Sequence, residues 1–353
     1  MTLEQAATPL FANHQTFHPR FGWVKKGHDA ALTNPNVFNE QFSPVLLGVG
    51  KNMVEAIRFW TASTRVIVRL PHPERPRQSI YVPTKFGQAI FDEDFGLDPY
   101  SEDPTTLWML HWQAVSATSM LPIWRSAFND FSAVEFNEDD LLQFCADEVA
   151  STTWSQPKRT SIAKDVDCLL RMYTRRETKG RQTLDDLLDS PFRELGIVTP
   201  SPGVKGSYRF ALGEKAGLTA SAIVYACLDF MSRDSKRTAS TTRLAVDPGS
   251  PGRLLKITER EIVTAIEDVS TRVGGLTIAR PAGANQLVTE QHPSMIALAV
   301  MWAHHSSRRS DQVNVEDIDI AGPAARTPAL NEQEIAKLLR RAERSSNKKG
   351  SAA

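Results

Sequence analysis

Several places in the sequence combine residue type and spacing in a way that suggests chemistry, and most fail on a required position. Residues 47–52 (LGVGKN) resemble the end of a phosphate-binding loop, where glycines precede a lysine. That loop needs a glycine five residues before Gly50 and a serine or threonine after Lys51, and Val45 and Asn52 stand there instead. Residues 92–103 (DEDFGLDPYSED) carry six acids in twelve positions, but Gly96 and Leu97 occupy the fifth and sixth places of a calcium loop that starts at Asp92. The carboxylate-x-lysine pattern of metal-dependent nucleases occurs at Glu177–Lys179 and Asp234–Lys236, against about 1.6 matches expected by chance from 41 acids and 14 lysines in 353 residues. His28-Asp29 is a lone dipeptide, and His304-His305 ends an apolar segment as a packed or capping pair. Neither Gly-x-Ser-x-Gly nor His-Glu-x-x-His occurs, and no motif for an organic cofactor is found. Cys145, Cys168 and Cys227 lie far apart, without the spacing of a zinc ribbon or a redox pair.

The basic residues carry a clearer signal. The chain has 41 Lys+Arg and 41 Asp+Glu, so its formal charge is zero. By segment the balance separates. Residues 51–91 hold seven bases against two acids, residues 92–148 one base against thirteen acids, and residues 151–243 sixteen bases against ten acids. Such blocks suggest basic surfaces for a polyanion, with an acidic connector that covers them or faces a partner. Lys51, Arg58 and Arg65 suit phosphate contacts, and Asn52 suits a base edge. Arg75 and Arg77 sit where a loop tip would reach a duplex.

These residues need elements to position them. Residues 51–62 have helical periodicity, with Met53, Ile57 and Trp60 as a buried stripe and Lys51, Glu55 and Arg58 on the opposite face. Residues 65–70 and 79–82 alternate like strands around a basic loop at 71–78, and residues 83–91 read as a closing helix. This order, with a short element at 44–47 before the turn, is that of a winged helix-turn-helix. From Pro104 a helix places Trp108, His111, Trp112 and Val115 on one face, a pattern of core. Asn137 caps a helix over 138–150.

A second, winged-like unit is expected after residue 150. It has a helix at 161–173, an interrupted helix at 184–195 and strands at 197–198 and 208–212. Further on come a helix at 258–272, a hairpin at 277–280 and 286–288, and a helix at 295–305. The fold class expected is mainly α with small β-wings. A winged-helix unit spans 1–92, an acidic helical connector 93–150, a second helical, winged-like unit 151–326, and a charged tail without its own core 327–353. Hydrophobic residues at 41% and charged residues at 23% are ordinary globular values. No signal peptide or membrane span is read, so the expectation is a soluble cytoplasmic protein.

Four strings, at 17–27 (FHPRFGWVKKG), 47–60 (LGVGKNMVEAIRFW), 98–113 (DPYSEDPTTLWMLHWQ) and 250–257 (SPGRLLKI), resemble a bacterial family of unknown-function domains. That family is encoded in defence islands beside sulfate-reductase-like genes. It includes SspB, the nicking subunit of single-strand DNA phosphorothioation systems. The resemblance spans roughly residues 17–320. It implies a protein that binds double-stranded DNA and opens one strand, so that a sulfur-inserting partner can act. The cleavage step would use Mg2+, and the partners would be other phosphorothioation proteins such as sulfurtransferase and ATPase subunits. No catalytic residue is carried over. Arg20, Lys25 and Lys26 join Lys51, Asn52 and Arg58 as expected DNA contacts inside matching strings. The alternatives from the residues alone are a non-catalytic winged-helix adaptor and a scaffold whose basic faces bind an acidic protein.

Overall fold

A computed structural model describes residues 1–174, 190–305 and 319–350. The basic run at 175–181, Glu177–Lys179 and the first half of the interrupted helix at 184–195 lie outside the described residues.

The N-terminal part is built on two helices, Trp23–Thr33 and Lys51–Ser63, that pack against each other. Gly27 makes the approach possible. A Cβ there would lie 2.1 Å from Thr61 Oγ1, so only glycine lets the helices come this close. The second helix starts after Gly48, which takes the left-handed conformation, and Gly50 at the N-cap. Its buried side is wider than the expected stripe. Val54, Ala56, Ile57, Phe59 and Trp60 are buried, while Met53 lies at the edge.

Strands β1 (Ile67–Pro71) and β2 (Ser79–Pro83) form the expected antiparallel hairpin, in register Ile67↔Pro83 to Pro71↔Ser79. Their alternation gives the hairpin two faces. On one, Val68, Leu70, Ile80 and Val82 pack under Ile335 and Leu339 of the helix Glu332–Gly350. The charged C-terminal segment thus contributes to a small core, because two apolar residues one turn apart are enough to seat a helix on a hairpin. The other face presents Ile67, Arg69 and Tyr81 to a groove.

The helix Pro104–Val115 lies at the centre, and every residue from Thr105 to Val115 is buried. A one-faced stripe was expected, but neighbours surround this helix, among them Ala220–Ser232, also mostly buried. Asp92, Asp98 and Asp103 of the acidic run are buried, and they accept backbone N–H groups of Asp94, Phe95, Glu102, Asp103 and Thr105. Asp103 is also the N-cap of the central helix. Asn137 forms a capping box with Asp140 at the start of Glu138–Ala150.

Two small antiparallel sheets complete the β content. β3 (Phe136–Asn137), β4 (Val198–Pro200) and β5 (Ser207–Phe210) pair in the order β3-β5-β4. β6 (Thr238–Ser240), β7 (Leu276–Ala279) and β8 (Gln286–Thr289) pair in the order β6-β8-β7. The protein is mainly α with small β parts, around one buried cluster that runs from Leu3 to Ala325. Among the described residues no helix is long and apolar enough to cross a membrane.

Candidate nucleic-acid interface

The structure divides the nine expected contact residues into an exposed set and an inward set. Lys51 and Asn52 are exposed in the first turn of Lys51–Ser63 and make no hydrogen bond or ion pair among the described residues. No side chain caps this helix, so its first N–H groups face outward beside the Lys51 charge. Arg75 and Arg77 are exposed in the β1–β2 connection, and Arg75 pairs with Glu343 at 2.6 Å. Lys26 is exposed and reaches the Leu47 carbonyl at 3.0 Å.

The inward set is engaged with the protein. Arg20 lies over the Phe17 and Trp23 rings at 5.5 and 5.1 Å. Lys25 Nζ bonds Asp29 at 2.8 Å, Glu93 at 2.9 Å and the Phe91 carbonyl at 3.2 Å. Burial opposes its charge, but the two carboxylates outweigh that and raise its pKa. Tyr100 donates to Glu93, so an ammonium, two carboxylates and a phenol meet at one surface point. Arg58 lies over the Tyr81 ring at 5.7 Å.

Arg65 turns inward at the joint between the helix Lys51–Ser63 and β1. Its φ is 60°, in the left-handed region that side chains disfavour, and Thr84 holds its carbonyl at 2.6 Å. Its guanidinium bonds Gln113 Oε1, Ser116 Oγ and the carbonyls of Ser116 and Thr118 at 2.6–3.2 Å.

Arg58 and Arg65 also line a groove of about 420 Å³ between this helix and the inner face of the hairpin. Arg69 and Arg326 complete its basic lining, and no carboxylate lines it. Arg69 donates to Ser79 Oγ at 2.6 Å. Arg326 bonds Asp229 at 3.1 Å and the Ala117 carbonyl at 2.9 Å. Asp229 is fully buried and also takes Arg233 at 3.1 Å, Trp112 Nε1 at 2.9 Å and Gly322 N–H at 2.8 Å. Burial works against its charge, but Arg326, Arg233, the Gly322 N–H and Arg65 hold the carboxyl well below the usual range.

Sequence reasoning missed Arg69 as a groove residue, along with Asp229, Arg233 and Arg326. One signal was present: Asp229 is a lone acid in the apolar run at 221–231, where a charge must find a partner.

Other candidate chemistry is of a different kind. Among the described residues, one group of three His, Cys, Asp or Glu side chains brings ligand atoms within 4.8 Å of one another: Asp103, His304 and His305. His304 Nε2 lies 3.0 Å from Asp103 Oδ2 and 3.1 Å from Thr105 Oγ1, so its ring is packed against the start of the helix Pro104–Val115. Asp234 and Lys236 form an exposed ion pair at 3.7 Å. The three cysteines are buried, and burial raises their thiols further from the reactive thiolate.

Comparison with known proteins places this geometry. No curated protein matches the sequence. A magnesium ion-bound SspB crystal structure is 33% identical with a TM-score of 0.83, covering 96% of this chain and 98% of that one. A second SspB crystal structure is 34% identical with a TM-score of 0.81, covering 96% and 99%. The family described as Protein of unknown function (DUF4007) matches residues 11–305. With most of its length matched, the chain belongs to that family.

Proposed function

We propose that this protein is the DNA-binding component of a phosphorothioation defence system and nicks one strand to allow sulfur insertion. The likeness to SspB over 96% of the chain supports the system, and the DNA reading is carried by the exposed, uncapped start of the helix Lys51–Ser63, where Lys51 and Asn52 make no hydrogen bond or ion pair among the described residues. The short helix Ser43–Leu47, the helix Lys51–Ser63 and the β1–β2 hairpin follow the order of a winged helix-turn-helix. In that reading Lys51 and Asn52 meet the duplex at the helix start, and Arg77 meets the backbone from the hairpin tip. Sulfurtransferase and ATPase subunits are the partners this reading calls for.

Magnesium takes oxygen ligands and keeps several waters, so two imidazoles beside one carboxylate suit it poorly. Asp29 and Glu93 offer the oxygen donors such an ion prefers, and the ion would take the place of the Lys25 ammonium that now lies 2.8 and 2.9 Å from them. They would hold the ion, which when bound supplies an activated water and charge stabilisation at the phosphodiester.

Supercoiled plasmid incubated with the purified protein and Mg2+ tests this. Conversion to open circle that chelator blocks and Glu93→Gln abolishes is expected. Binding without relaxation would leave the adaptor reading in its place.

A further inference from the structure

The groove holds more positive charge than the protein balances. Arg65 and Arg326 of its lining, with Arg233 behind them, surround Asp229, the one carboxylate at hydrogen-bond distance of any of them among the described residues, and Asp234 acts on Arg233 alone, so positive charge remains. Arg65 otherwise bonds neutral groups, and burial, then Arg326 and Arg233, push it well below its ordinary pKa. At the opening, Arg58 sits on an aromatic ring and Arg69 on a hydroxyl, and neither pairs with a carboxylate among the described residues. Uncompensated charge in a partly dry site is costly, and an anion that enters relieves it.

Size and lining narrow the anion further. About 420 Å³ is within the range of small-ligand sites and is far too small for a duplex. Leu10, Phe59, Ile67 and Met120 also line the groove, an apolar wall that inorganic phosphate alone would not use. Asn13 and Thr118 add an amide and a hydroxyl at the edge. Guanidiniums, apolar surface and two neutral polar groups in one groove together match a nucleotide.

We propose that the groove takes a single nucleotide drawn out of the duplex, its phosphate on Arg58, Arg69 and Arg326 and its base against the apolar wall. This rests on the DNA reading above and adds how the strand is presented. Extrusion has an energetic cost of a few kcal/mol for unstacking and is repaid by contacts to the phosphate and the base. It would fix one phosphodiester relative to the protein, as strand-selective cleavage requires.

The test is calorimetric titration of the full chain with dAMP, deoxyadenosine and inorganic phosphate, beside gel shifts on a duplex. Arg58→Ala and Arg69→Ala are the variants, because both lie at the opening and leave the Asp229 cluster intact. Their thermal melts check folding. dAMP should bind more tightly than phosphate, deoxyadenosine should not bind measurably, and each variant should weaken dAMP about tenfold. A duplex with 2-aminopurine should brighten on binding wild type and stay dim with the double variant. No dAMP binding at millimolar concentration, or equal affinity for dAMP and phosphate, overturns the inference. If duplex binding survives that result, the DNA reading stands and only the extruded nucleotide is lost. If duplex binding is absent as well, both fall.

Discussion

Asp229→Asn is the sharpest probe of the buried charge cluster. The substitution keeps the side-chain shape and removes the one carboxylate that answers Arg326 and Arg233, each at 3.1 Å. Two charge-assisted hydrogen bonds, at about 1.5–3 kcal/mol each, become weaker neutral ones. The remaining guanidiniums are left without a counter-charge, and breaking a buried pair in this way costs about 3–5 kcal/mol. For a chain of 353 residues that loss corresponds to a fall in Tm of about 4–7 °C. The pH dependence follows from the sign of the shift. The folded carboxyl lies below its unfolded value near 3.9, so its contribution is complete above that pH and is lost only as pH falls below it. The gap between wild type and variant should therefore stay level from pH 5 to pH 8 in calorimetric or urea unfolding. A variant that melts within 1 °C of wild type, or a gap that closes across that range, refutes the reasoning.

Replacing Lys51 and Asn52 together by Ala should weaken duplex binding several-fold and lower the salt slope by about one, read from binding isotherms at rising salt. Lys256 lies 4.4 Å from the Phe210 ring centre, and burial lowers its pKa to about 8, so the unfolded chain binds the proton more tightly. Stability should thus rise between pH 8 and 10, and Lys256→Met should flatten that rise in urea titrations. Ile335→Asp should release the helix Glu332–Gly350 from the hairpin, visible as faster proteolysis near residue 330 with less than about 2 kcal/mol lost. Arg125 is 1% exposed, and its guanidinium makes no hydrogen bond within the described residues, so Arg125→Met should cost little or stabilise in urea unfolding.

The parts of the fold that depend on neighbours in sequence were legible. Asn137 before three acids announces its helix, and the alternation at 65–70 and 79–82 announces the hairpin to within a residue or two. Periodicity fails where a helix is surrounded, as at Pro104–Val115, because it then has no polar face to reveal the buried one. The segment from residue 327 reads as a charged helix and tail without a core, and the small core under Glu332–Gly350 escapes that reading because its apolar stripe is only two residues deep. For the candidate interface, Lys51, Asn52 and Arg77 could be read from charge and exposure alone. The groove could not. Arg58 and Arg65 are neighbours on one strand of reasoning, but Asp229 and Arg326 come from distant segments and meet them only through tertiary packing. Lys25 was legible as a basic residue, whereas its carboxylate partners lie 4 and 68 positions away.

Charge neutrality has a different meaning once the side chains are placed. The acids of residues 92–103 had suggested a surface that could screen the basic blocks. Three of them instead face inward and accept backbone and hydroxyl donors that the turn leaves open, such as the Thr106 hydroxyl on Asp98 at 2.6 Å. A carboxylate held by local N–H groups is fixed in place and does not travel to a distant guanidinium. The arginines at the groove are therefore not answered by the acids that balance them in the total. Arg125, whose pKa burial lowers to about 10 while Asp130 opposes and Arg233 and Arg253 add to the fall, is a further cation deep in the protein. Folding alone would favour replacing such residues with apolar ones. That an interior carries cations at this density beside an open groove argues that an anion completes it, and the nucleotide proposed above is one that fits.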